Sequence, residues 1–462
     1  MVSHTEANIP IVVRQHLAQK TISHALGPNK ASLERAEVCL LGDDKGLVQV
    51  FVSSNAIVHI DKIRAITGRD LKPLSVEEIN RLKNKVGVQT LPAFDDFIQA
   101  DTIIDENLFN TARIFVHTGN SDFLMALKDA SAMKRKDDTR VMDIATPLPY
   151  TDIEYELSLF DHDRDEINSA VTKFTALRIK QRLEETLEVP PLPDTAQAII
   201  RLRVDPDANI DKLSQIVERD PSLAAQVVSW ASSSYYSAPG SIKSVQDAIV
   251  RVLGYDLVMN LALGLSLGKT LELPEEQDNG NASYWTQAVY VAACVGALVS
   301  AIPREFRPGF GLSYLSGLLH NFGYLILAHA FKPHFETTNE MISLNRHIEH
   351  QHIEKHVLGI TRDQIASNLM HSWNMPGEVT MGIRYQSDPQ YLGVNSDQAH
   401  LIYLANHLLQ EYGLLPKMNH RFDKTVYEHL NLNPTDVEPL MEQLRESRKE
   451  LDMIAHSLEP TP

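Results

Sequence analysis

His320-Asn321 sets an imidazole beside a carboxamide in the middle of an apolar run, Leu312 to Phe331. Apolar residues recur there at Leu312, Leu315, Leu318/Leu319, Phe322 and Leu325/Ile326. That is the spacing of a buried helix face, so the sequence predicts one helix across the run. A polar pair inside such a helix must find partners or face a cavity, because burying an unpaired polar group costs about 1–3 kcal/mol. An aspartate at 321 would give a carboxylate–imidazole pair able to hold a metal. Asparagine is neutral and ligates weakly.

His347, His350, His352 and His356 form a second concentration of imidazoles. His352 and His356 lie one helical turn apart and could clamp a transition metal. No cysteine or carboxylate shell accompanies them, so a polar helix surface is the expected setting. The acidic run Asp161-His162-Asp163-Arg164-Asp165-Glu166 lacks the glycine and distal glutamate of a calcium loop. It reads as a solvated helix start.

The elements that must position these residues belong to a chain of 462 residues, long enough for two or three domains. A net charge of −17 argues against broad binding to nucleic-acid backbone, which calls for a basic face. Two cysteines, Cys39 and Cys294, make neither a disulfide framework nor a zinc cluster and fit a reducing cytoplasm. The first residues show no signal peptide. The window Ala288 to Ile302 is interrupted by Gly296 and closed by Pro303; it reads as a buried helix, with no membrane span expected.

Residues 1–135 mix strand and helix signals, an α+β pattern. Glu37–Leu41 and Leu47–Val52 flank a Gly-bearing turn and read as a hairpin. Ser75 with Glu78 is a capping box. Ala112–His117 and Asp122–Leu127 are strand candidates around Thr118-Gly119-Asn120-Ser121. The hairpin, Ile60-Asp61-Lys62, the Gly87–Phe94 loop with Pro92, Ile104-Asp105 and Gly119 together resemble the aminoacyl-tRNA deacylases of the YbaK and prolyl-tRNA-editing group. That resemblance implies a pocket bounded by Glu37, Gly87, Pro92 and Gly119, suited to a small ligand or an aminoacyl-tRNA. It also implies a lysine on the first hairpin strand to handle the ester. This chain has Glu37 there, and a carboxylate cannot steady an oxyanion. The pocket is therefore expected to be vestigial.

Residues 136–188 read as a charged linker followed by a connecting helix, Ile167 to Leu187. From Val189 onward the signals are helical: Asp220-Pro221 heads a helix, Gly254 ends one, and Thr361 with Gln364 forms a capping box. The segments Val189–Pro193, Val204-Asp205-Pro206, Glu218–Leu223, Ala231–Tyr236, Ile242–Gly254, Gly317–Gly323 and Trp373–Pro376 resemble the HDOD domain, a degenerate relative of the HD metal phosphohydrolases. The resemblance spans 189–410, with 411–462 as a helical extension of the same bundle. It implies that Gln287, His320, Asn321, Arg362, Gln386 and Asn406 stand where HD enzymes carry metal-binding histidines and aspartates, with Glu354 beside them. Amides are poor substitutes for those ligands and an arginine repels a cation. The expectation is a multidomain protein: an α+β deacylase-like domain, then an all-α HD-like domain. Its expected role is non-catalytic signal transduction with other signalling proteins as partners, and neither cofactor nor metal. Two alternatives stay open: aminoacyl-tRNA deacylation by the N-terminal domain and cryptic metal-dependent phosphohydrolysis.

Overall fold

The computed structural model describes residues 9–29, 33–110, 113–148, 159–174, 189, 191–236, 240–272, 274, 282–416 and 422–459. The part of the expected connecting helix beyond 174 lies outside them.

The N-terminal half runs α1 (Ile11–Gln19), β1 (His24–Pro28), β2 (Arg35–Asp43), β3 (Gly46–Ser53), β4 (Ala56–Val58), α2 (Ile60–Thr67), β5 (Lys72–Pro73), α3 (Val76–Val86), β6 (Asp101–Asp105), β7 (Ile114–His117), β8 (Phe123–Leu127), β9 (Arg140–Met142) and β10 (Ala145–Pro147). A mixed sheet orders the strands β1-β8-β7-β2-β3-β6-β9, with β5 paired to β2; β4 and β10 form a separate antiparallel pair. The expected hairpin is β2–β3, with Asp43 opposite Gly46. Gly46 closes the turn at a φ of 125°, which favours glycine. Period-two alternation sends β2 and β3 into two cores. Ala36, Leu40 and Phe51 pack with Val13 and Leu17 of α1. Cys39, Leu41, Val48, Val50 and Val52 form a second core on the opposite face.

The linker starts later than the sequence suggests. The charge run before Arg140 is pinned by the buried Asp95 carboxylate, which accepts from Arg135 N (2.7 Å), Lys136 N (2.8 Å) and Thr139 Oγ1 (2.6 Å). β9 then adds to β6 in parallel and β10 pairs with β4, so the N-terminal fold extends to Pro147.

The C-terminal half comprises α4 (Leu159–Phe174), α5 (Asp194–Arg203), α6 (Ile210–Glu218), α7 (Pro221–Ser232), α8 (Val245–Ala248), α9 (Tyr255–Gly268), α10 (Tyr284–Ala301), α11 (Phe310–Leu319), α12 (Phe322–Ala330), α13 (Lys332–Leu344), α14 (His350–Leu358), α15 (Arg362–Ser372), α16 (Gly377–Arg384), α17 (Ser396–Glu411), α18 (Thr425–His429), α19 (Pro434–Glu446) and α20 (Arg448–Leu458). One continuous apolar core joins Ile167 and Val171 of α4 to Leu458 of α20. Helix α10 is long and apolar enough to cross a membrane by composition, yet most of it is buried in this core.

The acidic start of α4 is not solvated throughout. Asp163 is fully buried; it accepts from Arg384 Nε at 2.7 Å and from Gln364 Nε2 at 2.8 Å. Glu166 holds Lys355. These ties fasten α4 to α14, α15 and α16, because a buried carboxylate is tolerated only when paired and hydrogen-bonded.

Candidate functional site

The single helix expected over Leu312–Phe331 is interrupted at His320-Asn321: α11 ends at Leu319 and α12 begins at Phe322. Two glycines permit the break. A Cβ on Gly317 would lie 3.0 Å from the Ala292 Cα, and one on Gly323 would collide with the Arg362 carbonyl oxygen. Backbone therefore approaches backbone on both sides of the pair. His320 Nδ1–H donates to the Gly317 carbonyl at 2.8 Å. In the neutral ring Nε2 then carries the lone pair.

Both residues line a cavity of about 630 Å³. The sequence-derived positions Gln287, Arg362, Gln386 and Asn406 line it too. They arrive from α10, the first turn of α15, the chain just after α16, and α17. The capping box places Arg362: Thr361 accepts from Gln364 N, and Gln364 reaches back to Thr361 N at 2.9 Å. Glu354 is the exception. It lies behind the wall, fully buried, where it accepts from Arg362 N at 2.9 Å and from the guanidinium.

These side chains satisfy one another. Arg362 Nη1 donates to Asn321 Oδ1 at 3.0 Å, and Asn321 Nδ2 donates to Gln287 Oε1 at 3.3 Å. Gln287 Nε2 donates to the Ala282 carbonyl at 2.7 Å. Gln386 Nε2 donates to the His320 carbonyl and to Asp363 Oδ1, both at 2.8 Å. The Arg362 guanidinium also lies over the Tyr324 ring. Burial, helped by Arg362, pushes His320 down to about 4. Burial, helped by the Glu354 charge, pushes Asp363 up to about 7, although Arg362 and Arg384 oppose it. As donors for a divalent cation the six sequence-derived positions fit poorly: they offer one imidazole, four neutral amides and a resident guanidinium.

Sequence reasoning passed over Asp363, Ser387 and Arg346, which also line the cavity. Asp363 was within reach, since the capping box that fixes Arg362 fixes its neighbour. Arg346 carried no local signal.

The histidine concentration does not converge, and only part of it is the expected helix surface: on α14 His352 is half-buried and His356 exposed. His347 lies in the turn before α14. Its Nε2–H donates to the Ala56 carbonyl at 3.1 Å, and its Nδ1 lies 3.7 Å from the Cys39 thiol, which burial keeps protonated. His350 lines the cavity. His356 is exposed and faces His59, with ring centroids 5.5 Å apart. Among the described residues the one group close enough to share a cation is His162, Asp163 and Glu166. Asp163 and Glu166 are already committed to Arg384, Gln364 and Lys355.

The four N-terminal positions are not brought together. Gly87 and Gly119 line a shallow cleft of about 520 Å³, closed on one side by Ile9, Pro10 and Ile11. Pro92 and Glu37 are not in its lining. Glu37 sits on the sheet face that meets the C-terminal half, paired with Arg35 at 2.6 Å and accepting from His117 Nε2 at 3.1 Å. Burial alone would raise its pKa, but His117, Arg35 and His347 bring it down to about 2.

Residues 189–389 match the HDOD domain family. The chain is 39% identical to a protein from Marinobacter aquaeolei VT8 that is assigned to signal transduction; the match covers 97% of this chain and 99% of that one, with a TM-score of 0.87. An HDOD-domain protein of unknown function from Geobacter sulfurreducens is 19% identical over 65% of this chain and 99% of that one, at a TM-score of 0.50. A Shewanella amazonensis SB2B protein assigned as a phosphohydrolase is 20% identical over 60% of this chain and 98% of that one, at a TM-score of 0.49. Among curated proteins nothing matches.

Proposed function

This chain belongs to the HDOD-domain proteins, and on that premise we propose that it acts in signal transduction without catalysis, using the cavity as a ligand-sensing pocket. The observation that carries the reading is the Arg362 guanidinium, held between Glu354 and Asn321 at the cavity wall. A fixed cation there supplies the positive charge that a metal site would supply, but it cannot ionise a water or move during a reaction. The 39% identical relative assigned to signal transduction supports the same reading. We place the protein in the cytoplasm, in keeping with two buried free thiols, with other signalling proteins as its partners.

Metal analysis of the purified full chain, together with a phosphomonoester and phosphodiester hydrolysis assay in added Mn²⁺, tests this. Sub-stoichiometric metal and no turnover are expected. Stoichiometric Mn, Fe or Zn that disappears on His320→Ala would refute the reading, and so would hydrolysis above the His320→Ala background. In the N-terminal domain the position where the resemblance implies a lysine holds the Glu37 carboxylate, paired with Arg35 and His117, and an anion cannot steady the oxyanion of an ester. A panel of mischarged tRNAs is expected to show no deacylation above buffer.

A further inference from the structure

Helices α13 and α14, with the turn 345–349 between them, serve two neighbours at once. Asn339, Ser343, Arg346, Glu349 and His350 line the cavity. Interleaved with them, Met341, Leu344, Ile348 and Ile353 complete the apolar core that β2, β3, β4 and α2 begin. The polar contacts of this second set are directional. Asn345, fully buried, accepts from Val58 N at 2.7 Å and donates to the Val58 carbonyl at 3.0 Å, so that its carboxamide pairs with β4 as a strand would. Glu340 takes both guanidinium nitrogens of Arg64, at 3.1 and 2.9 Å. His347 donates to Ala56. At the other end Glu354 of α14 grips Arg362, which reaches Asn321 in the opposite wall.

We infer that the cavity and the seating of the N-terminal domain are thermodynamically coupled through α13–α14. Residues one position apart on this hairpin report to opposite sides, and close-packed helices shift as units rather than deforming. Occupancy that displaces the cavity face must therefore displace Asn345 and His347. Linkage then requires that unseating the N-terminal sheet alter the cavity by the same free energy. The biological sense of this coupling rests on the ligand-sensing reading above. The coupling itself is tested without a ligand.

The test is hydrogen–deuterium exchange by mass spectrometry on the full chain. Ala328→Leu on α12 and Asn406→Leu on α17 each add side-chain volume at the cavity, and neither helix contributes to the core shared with the N-terminal domain. Exchange in the peptide carrying Val58 is expected to change about five-fold or more, while the peptide carrying Phe123–Leu127, outside the shared core, stays unchanged. In the reverse direction, Asn345→Ala is expected to speed exchange in the peptide carrying Arg362, whose amide is held by Glu354. A Val58 peptide unmoved by whichever cavity variant folds, or an Arg362 peptide unmoved by Asn345→Ala, overturns the coupling. Bound metal or turnover in the earlier assay would remove the sensing reading and leave the coupling standing.

Discussion

Arg362 sets its guanidinium against a carboxylate buried completely at Glu354. Removing one member of a buried pair leaves the other uncompensated, at a cost of about 3–5 kcal/mol. Arg362→Ala is therefore expected to lower the urea-unfolding free energy by that amount, and Glu354→Gln should be comparably costly, since its single carbonyl oxygen can keep only one of the two bonds from Arg362 and leaves the guanidinium without its counter-charge. A loss under 1 kcal/mol for Arg362→Ala, on the order of a surface pair, would show that the pair is not a structural tie. Asp363 next door makes a prediction in pH. Its folded pKa is about 7, above the unfolded value of about 4. Between these values the folded chain keeps a proton that the unfolded chain has lost, so stability falls as pH rises through that window. His320 acts in the opposite sense. Its folded value of about 4 is below the unfolded value of about 6.5, so stability is lost as pH falls between them. Comparing Asp363→Asn with the parent isolates the first effect. The variant is expected to gain on the parent between about pH 4 and 7, by at most about 1.4 kcal/mol per pH unit, and to run parallel above pH 7 in urea titrations. A difference that does not depend on pH would show that Asp363 does not titrate in this window.

At the level of helices and strands, much was legible where the cause is local. The β2–β3 turn, the Ser75–Glu78 and Thr361–Gln364 capping boxes and the Asp220-Pro221 start all stand where residue chemistry puts them. The break at His320-Asn321 was not legible, because apolar periodicity continues through it. What interrupts the helix is tertiary: α12 comes so close to α15 that only a glycine fits at 323. The acidic start of α4 was misleading for the same reason, since the partners of Asp163 lie on α15 and α16, two hundred residues away in sequence. Gly323→Ala is thus expected to force α12 off Arg362 and destabilise the chain by about 1–3 kcal/mol or more. Thermal unfolding would read this as a drop in Tm, against a control such as Gly309→Ala, where an added Cβ meets nothing within 4 Å. Equal effects at 309 and 323 would mean that the close approach does not constrain the fold.

Across the whole molecule, the two halves could be told apart in the sequence, but the way they join could not. The partners of His347 and His356 were not legible, because Ala56, Cys39 and His59 belong to the other half. Of the residues that line the cavity, the family resemblance pointed to Gln287, His320, Asn321, Arg362, Gln386 and Asn406, while Asp363, Ser387 and Arg346 went unnoticed. The join depends on contacts of unequal weight. Arg64 with Glu340 is a partly exposed ion pair, and such pairs contribute about 0–1 kcal/mol. Asn345 is fully buried and satisfies both backbone groups of Val58. Losing it leaves a donor and an acceptor unpaired, each at about 1–3 kcal/mol. Asn345→Ala is therefore expected to weaken the join far more than Arg64→Ala. In calorimetry the parent should melt in one transition through the shared core of β2, β3, α13 and α14. Asn345→Ala should split it, with the N-terminal sheet melting first, while Arg64→Ala leaves a single peak slightly lowered. A single unshifted peak for Asn345→Ala would mean that the apolar core alone holds the halves together. The polar contacts of α13 and α14 would then specify register rather than strength.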